Sequence, residues 1–434
     1  MASFLIDRRL RADFGRVLSG NVIYSACQWA IVIVLAKLGT PQEVGLYALG
    51  MAVSAPIVLF ANLQIRTLLA SDVKDEFRFG QYLAFRLVSL GLALVVILVV
   101  AGGSAPDWRH RSVIALAGFA QVVEYVSDTY YGLMQKYDRM DRMCRSLMIK
   151  GPLGLVALWA AMFVGHDVAW AVFALALGRL FVLLTWDSRL GYARNVDPVF
   201  AARPEWDNRN ILRLLRTALP LGVISMLASL SGNIPRYFIE GRLGTADLGI
   251  YAAIASLLAA GNLVISAFGQ SLMVPAARAC ADGDRSRYRI FVVHSAALGA
   301  VLGLGAIFSA ALFGRYLLAH LFRAEYADHV DIFIWLMAAG AILFLGGVLG
   351  YVMTAARALK PQIPLLLANC TVCAAACAWL VPNHGLRGAV EATIISGLVQ
   401  LGGSALILLR IDRQLSATFA PLPEPESVGS RVRT

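Results

Sequence analysis

The sequence predicts an all-α polytopic membrane protein: twelve transmembrane helices in two parallel-repeat six-helix lobes around a central cavity. Three observations predict it. Hydrophobic residues make up 59% of the 434 and charged residues only 15%, whereas a soluble domain carries roughly 25% charged. Apolar runs of about 20 residues, the length a helix needs to cross a bilayer, recur twelve times. A short motif returns about half a chain later. There is too little polar surface for a soluble enzyme, a nucleic-acid-binding module or a disordered protein. The net charge of +11 fits basic loops held on the cytoplasmic side of a membrane.

The predicted spans are 17–38, 44–70, 79–102, 110–134, 143–165, 168–188, 213–240, 247–274, 289–313, 330–356, 361–383 and 385–410. Barrel strands would be about ten residues long and alternate in polarity, so helices are expected. The first run follows Arg8, Arg9, Arg11 and Arg16. It is too long for a signal-peptide core and lacks a small-x-small cleavage site, so it reads as a retained span. Of the 38 Lys and Arg, 27 fall on the side of the termini, seven on the other side, and four inside spans. That bias puts both termini in the cytoplasm. Residues 189–212 read as a cytoplasmic linker between an N-terminal lobe (1–188) and a C-terminal lobe (213–410), with a cytoplasmic tail at 411–434. Residues 314–329 read as an outer segment along the interface. No cofactor or metal site is expected.

The repeat pairs Leu38-Gly39-Thr40 and Glu43-Val44-Gly45-Leu46-Tyr47-Ala48 with Leu243-Gly244-Thr245 and Asp247-Leu248-Gly249-Ile250-Tyr251-Ala252. Both copies sit at the outer turn of a helical hairpin, spans 1–2 and 7–8. Six spans map onto six, an even number, so the halves are parallel and related by an axis along the membrane normal.

The four intramembrane cations are Arg86, Lys150, Arg179 and Arg236. A charge at the centre of a lipid-facing helix costs about 2.5–3.5 kcal/mol on the insertion scale, so these side chains need a wet cavity or a partner. Arg86, Lys150 and Arg179, with Arg66 near the inner end of span 2, lie roughly 6–14 Å inside the membrane at 1.5 Å per helical residue. All four are in the N-terminal half. A cationic lobe open to the cytoplasm suits an anionic ligand, with arginine gripping phosphate as a fork and lysine as a point charge. Snorkelling toward the inner interface is the plainer reading.

Glu124 and Asp128, four apart on span 4, share a face and lie near Lys150 in depth. They read either as a structural ion pair that makes the cations tolerable or as a protonatable or sodium-binding site coupling transport to an ion gradient. Arg236 with Glu240, and Arg387 with Glu391, read as local pairs near the outer end. Pro56, Pro152, Pro220, Pro235, Pro275 and Pro364 fall inside spans, where helices tolerate proline and kink. Cys370, Cys373 and Cys377 lie on an apolar span without a fourth ligand and read as buried small hydrophobes. No phosphate-cradling glycine loop, nucleophile elbow or zinc-protease motif is present, and the chain does not read as an enzyme.

The segment Asn233-Ile234-Pro235-Arg236-Tyr237-Phe238-Ile239-Glu240, followed by Leu243-Gly244 and Leu248-Gly249-Ile250-Tyr251-Ala252-Ala253, resembles bacterial polysaccharide and O-antigen flippases of the multidrug/oligosaccharidyl-lipid/polysaccharide exporter superfamily. Gly20-Asn21-Val22, Ala324-Glu325-Tyr326 and His384-Gly385-Leu386-Arg387-Gly388-Ala389 extend the resemblance along the chain. It implies two lobes in a V around a cavity. It also implies ion-coupled (H+ or Na+) translocation of an undecaprenyl-diphosphate-linked oligosaccharide to the outer leaflet of the bacterial inner membrane. Arg236 joins the substrate-binding candidates Arg66, Arg86, Lys150 and Arg179 on this ground. A polysaccharide polymerase and a chain-length regulator are the implied protein partners, with membrane lipids around the chain and no nucleic acid.

Three other readings stand beside it. A drug/cation antiporter would want an acidic cavity, and the chain has more buried cations than anions. A peptidoglycan-lipid flippase usually has about fourteen spans. A membrane-embedded glycan polymerase or glycosyltransferase usually needs a larger outer loop or a solvent-facing carboxylate site.

Overall fold

The computed structural model describes residues 2–72, 75–104, 107–188, 203–356 and 358–418. Among these residues every regular element is helical: α1 (Ala2–Leu38), α2 (Pro41–Asn62), α3 (Ile65–Ser71), α4 (Phe79–Ser104), α5 (Trp108–Lys136), α6 (Met140–Gly165), α7 (Val168–Val182), α8 (Asn208–Arg242), α9 (Thr245–Ser256), α10 (Leu258–Ala281), α11 (Arg285–Leu321), α12 (Val330–Ala355) and α13 (Leu359–Thr418). A π-helical turn, Leu183–Asp187, extends α7, and a 3-10 turn, Ala324–His329, precedes α12.

These elements make twelve membrane-crossing segments in two lobes. Ten stretches are apolar enough to cross by length and composition. The other two follow from sequence features. Helix α5 falls short in hydropathy because it carries a polar stripe. Helix α13 is two segments joined at Gly385, whose backbone (φ 60°, ψ −137°) is non-helical. That left-handed φ is one glycine reaches readily. In the lipid core every backbone N–H and C=O must bond within its own segment, which is why the chain crosses as helices.

Several expected boundaries shift. Span 2 is not continuous: it breaks between α2 and α3 at Leu63 (φ 49°) and Gln64 (φ 53°). Neither residue is glycine or proline, so tertiary packing holds the break. Leu63 is 3% exposed and packs beneath Gly222 of α8, and Gln64 Nε2 donates to Ser225 Oγ at 3.1 Å. Span 8 divides at Leu257 into α9 and α10. The outer segment at 314–329 is mostly helix instead: α11 runs to Leu321 because Leu318, fully buried, packs its last turns into the core. The tail begins later than 411, since α13 continues to Thr418. Residues 419–434, like 189–202 of the linker, lie outside the described residues.

In the first lobe α1 packs on α6, α6 on α7, and α5 against α2, α4 and α7. In the second, α11, α12 and α13 pack in sequence, and α8 lies on α13. The lobes meet through α2, which touches both α9 and α8. The meeting point is the repeat itself. A Cβ added at Gly45 would overlap the Thr245 carbonyl, and one added at Gly249 would overlap the Pro41 carbonyl. Gly45 and Gly249 are repeat counterparts, and each meets the carbonyl four residues before the other, so the contact is self-complementary, as a two-fold interface is. We call this the outer end, and the opposite end, which carries most Lys and Arg, the basic end.

Helix caps fix the outer-end turns. Thr40 and Glu43 form a reciprocal capping box at the start of α2, the arrangement that satisfies two orphan amides at once. Asp107 caps α5 by accepting from the His110 backbone amide at 2.8 Å, and its carboxylate also meets His110 Nδ1 at 2.7 Å. These bonds hold its pKa below the ordinary carboxylate value, the backbone amide of His110 first and its ring second. A depressed carboxylate stabilises the fold above its ordinary pKa of about 3.9 and loses that contribution as pH falls through its folded value. Asp107→Asn should therefore lower the thermal midpoint at neutral pH by a margin that shrinks below about pH 3.9. A margin independent of pH would show that the charge contributes nothing.

Candidate functional site

Helix α5 organises the polar interior of the first lobe. Gln121, Glu124, Asp128, Tyr131 and Gln135 recur every three or four residues along one stripe, the spacing that keeps side chains on one helix face. Arg66, Lys150 and Arg179 bond residues of this stripe, and Arg86 reaches the same helix at Thr129.

Arg86 of α4 is fully buried. Its Nε donates to Thr129 Oγ1 at 2.8 Å, and its Nη1 donates to the Asn62 carbonyl at 3.0 Å and to Asn62 Oδ1 at 2.6 Å. Among the described residues its Nη2 has no hydrogen-bond partner and no carboxylate lies in salt-bridge contact. The guanidinium thus holds the end of α2 against α5 while its charge stays uncompensated by direct contact.

Lys150 of α6 has a fully buried side chain. Its Nζ donates to Tyr131 Oη at 2.7 Å and lies 3.4 Å from Asp187 and 3.7 Å from Glu124. Arg179 of α7 donates to the Ala120 carbonyl at 3.2 Å and to Gln28 Oε1 of α1 at 3.1 Å, and its Nε is 3.7 Å from Glu124. Glu124 therefore bridges two cations from two helices. Its side chain remains 20% exposed.

Arg66 of α3 pairs with Asp128 at 3.0 Å and also reaches Gln135 at 3.4 Å. Its side chain is 33% exposed and that of Asp128 18%, the most open pair in the cluster. The expected sharing of Lys150 by Glu124 and Asp128 is half right in geometry: Glu124 meets Lys150, but Asp128 turns one turn further down α5 to Arg66.

Lys150's second acid, Asp187, escaped the sequence reading. It is the last residue of the π turn that extends α7. The π turn rotates it inward, where it is 1% exposed and accepts a hydrogen bond from Ser146 Oγ. Ser146 in turn bonds Tyr131 Oη at 2.8 Å. π turns occur often at functional sites, and this one places a carboxylate beside an intramembrane lysine.

The cluster holds four cations, Arg66, Arg86, Lys150 and Arg179, against three carboxylates, Glu124, Asp128 and Asp187, a formal surplus of one positive charge. Three of the cations are enclosed by protein partners and only Arg66 is partly open. An unpaired charge of this kind raises the potential of the whole stripe, since fields are weakly screened away from water.

Arg236 stands apart in α8. Its Nη1 donates to Asn233 Oδ1 at 3.0 Å, and it makes no ion pair with Glu240. Glu240 instead accepts from Thr245 Oγ1 at 2.8 Å and lies 3.6 Å from His110 of the first lobe. The pairing expected from i,i+4 spacing is overridden by a contact between lobes at the outer end. Arg387 and Glu391 do pair, at 3.1 Å, with His384 on the same carboxylate at 2.6 Å. The three cysteines of α13 are buried among apolar neighbours and, among the described residues, no cluster of metal-ligating side chains occurs.

A family described as polysaccharide biosynthesis protein matches residues 11–279. The chain belongs to this family. A capsular polysaccharide biosynthesis protein, CapF, of Staphylococcus aureus is 24% identical over 400 residues, covering 90% of this chain and 96% of that protein. A lipid III flippase of Escherichia coli (strain K12) is 22% identical over 319 residues, 71% of this chain and 75% of its own length. Among solved structures, a multidrug resistance MATE family transporter of the MOP superfamily, in an inward-facing conformation, superposes with a TM-score of 0.73 at 15% identity, covering 92% of this chain and 96% of that one. The lipid II flippase MurJ, inward closed, gives 0.69 at 9% identity over 92% and 90%. These likenesses establish the fold, and with it a multi-pass membrane protein of twelve segments in two lobes.

Proposed function

We propose that the chain is a flippase that moves an undecaprenyl-diphosphate-linked oligosaccharide from the inner to the outer leaflet of the bacterial cytoplasmic membrane, for capsule, O-antigen or exopolysaccharide assembly. The observation that carries this reading is the positive surplus on the α5 stripe inside the membrane. An anionic headgroup is the complementary ligand, and a drug/cation antiporter would need the opposite sign. Family membership and the names of the relatives, a capsular polysaccharide biosynthesis protein and a lipid III flippase, point the same way.

On this reading the basic end is cytoplasmic, with both termini there, and residues 1–188 and 213–410 rock about the linker 189–212. Within the lobe the diphosphate meets Arg66 first, displacing it from Asp128. Arg86, Lys150 and Arg179 supply the field behind it, and Arg236 the cation on the facing lobe. The isoprenoid tail stays in the bilayer between the lobes while the glycan crosses. Glu124 and Asp128 carry the coupling ion, H+ or Na+: a proton on Glu124 frees Lys150 and Arg179 for the substrate. A polymerase and a chain-length regulator receive the product.

Arg66 gives the clean test because its side chain is open and its removal leaves the packed core intact. In a strain lacking the chain, Arg66→Ala should restore at least tenfold less surface glycan than the unmodified protein at equal membrane abundance. Lipid-linked oligosaccharide should accumulate on the cytoplasmic leaflet. Full restoration removes Arg66 from the substrate path, and no accumulation in the strain lacking the chain removes the flippase reading.

A further inference from the structure

We propose that the exposed face at the start of α8 is the capture site where the diphosphate headgroup of the lipid carrier docks before it enters the lobe. Arg209, Arg213 and Arg216 lie at i, i+4 and i+7, on one face of the helix. With Leu212 and Thr217 they line a hollow of about 440 Å³.

The opposite face of the same turns is anchored. Leu214 and Ala218 are 2% and 0% exposed, in a cluster with Leu63, Ile65, Phe77, Tyr82 and Phe85 of the first lobe. The basic face is therefore presented on a fixed platform. Arg213 stacks over the Phe77 ring at 5.5 Å and pairs with Glu76 at 3.1 Å. Arg209 and Arg216 have no acidic partner among the described residues. Two uncompensated guanidiniums and a third held by one exposed carboxylate leave a local surplus of two positive charges. A diphosphate matches this surplus in charge and accepts forked donors at both phosphates.

The level and the company of the arginines fit a lipid-borne anion better than a soluble one. Leu212, 47% exposed, lies among them, and Leu219, 41% exposed, follows two turns on. An apolar side chain beside cations at the foot of a membrane-crossing helix suits a headgroup with its tail in the bilayer. Further along α8, on its anchored face, the α2–α3 junction is bonded through Gln64 and Ser225, and α3 carries Arg66. The captured headgroup has its next cation on the neighbouring element. The three deep cations, already bonded to protein, are poor first contacts.

This inference rests on the flippase reading, and the test separates the two. The purified full chain in phosphatidylcholine nanodiscs is titrated with undecaprenyl diphosphate. The Arg209→Gln/Arg216→Gln double variant should bind about tenfold more weakly, whereas Glu76→Gln, which frees Arg213, should bind about threefold more tightly. Both sites are exposed, so folding is checked by an unchanged thermal midpoint. Unaltered affinity in both variants overturns the capture site while leaving the flippase reading in place. Equal displacement of the probe by phosphatidylglycerol overturns the diphosphate assignment in favour of a general anionic-lipid site. No binding by the unmodified chain overturns both.

Discussion

Gly249→Val should abolish glycan export and lower the thermal midpoint, because it drives a side chain into a backbone carbonyl of the other lobe. The added Cβ at position 249 overlaps Pro41 O, and its repeat counterpart at 45 overlaps Thr245 O. A flexible side chain could step aside, but here α2 and α9 must move apart as units. Overpacking typically costs 1–3 kcal/mol, and a backbone-to-backbone clash at a self-complementary crossing belongs at or above the upper end. About 3 kcal/mol would shift the population of the closed outer end more than a hundredfold. Gly45→Val should behave alike, while Gly305→Val, where a Cβ meets open space, should export normally. The thermal midpoint and surface glycan measured together check this. Normal export from Gly249→Val would show that the lobes do not need this contact in the cycle.

Glu124→Gln should have the second largest effect. It leaves Lys150 with Asp187 but leaves Arg179 with only the Ala120 carbonyl and the Gln28 amide. The surplus in the cluster rises from one positive charge to two. Stranding a buried charge costs about 3–5 kcal/mol in soluble proteins. The 20% exposure of Glu124 and the modest worth of polar contacts in membranes reduce this to roughly 2 kcal/mol. A second substitution separates structure from mechanism. Adding Arg179→Met removes the stranded charge and should restore the thermal midpoint. Export should stay lost in the double variant if Glu124 carries the coupling proton. Export that returns with stability would reduce Glu124 to a structural counter-ion.

Much of the fold is legible in the chain because membrane helices announce themselves by length and polarity. Twelve segments, the break at Gly385 and the repeat all follow from local features. The break at Leu63-Gln64 does not, since it is held by Gly222 and Ser225 of a helix 160 residues away. The early end set for span 9 treated Arg315 and His320 as interfacial, whereas Leu318 pulls that turn into the core.

The polar cluster is legible in its members and not in its pairings. Depth along a helix picks out Arg86, Lys150 and Arg179 as costly and therefore partnered. It cannot say around which neighbour they converge, and so it joined Asp128 to Lys150 when Arg66 holds it. Asp187 is not singled out by the sequence because the π turn that rotates it inward leaves no mark in composition. The i,i+4 rule joined Arg236 to Glu240, but Thr245 and His110 compete for that carboxylate from outside the helix.

The most direct measurement is flipping by the purified chain. Reconstituted into vesicles with an undecaprenyl-diphosphate-linked oligosaccharide, it should carry the glycan to the opposite leaflet, where a membrane-impermeant glycosidase can cleave it, far faster than in protein-free vesicles. Arg66→Ala should slow that transfer at least tenfold. Transfer at the protein-free rate by the folded, correctly inserted chain would contradict the account.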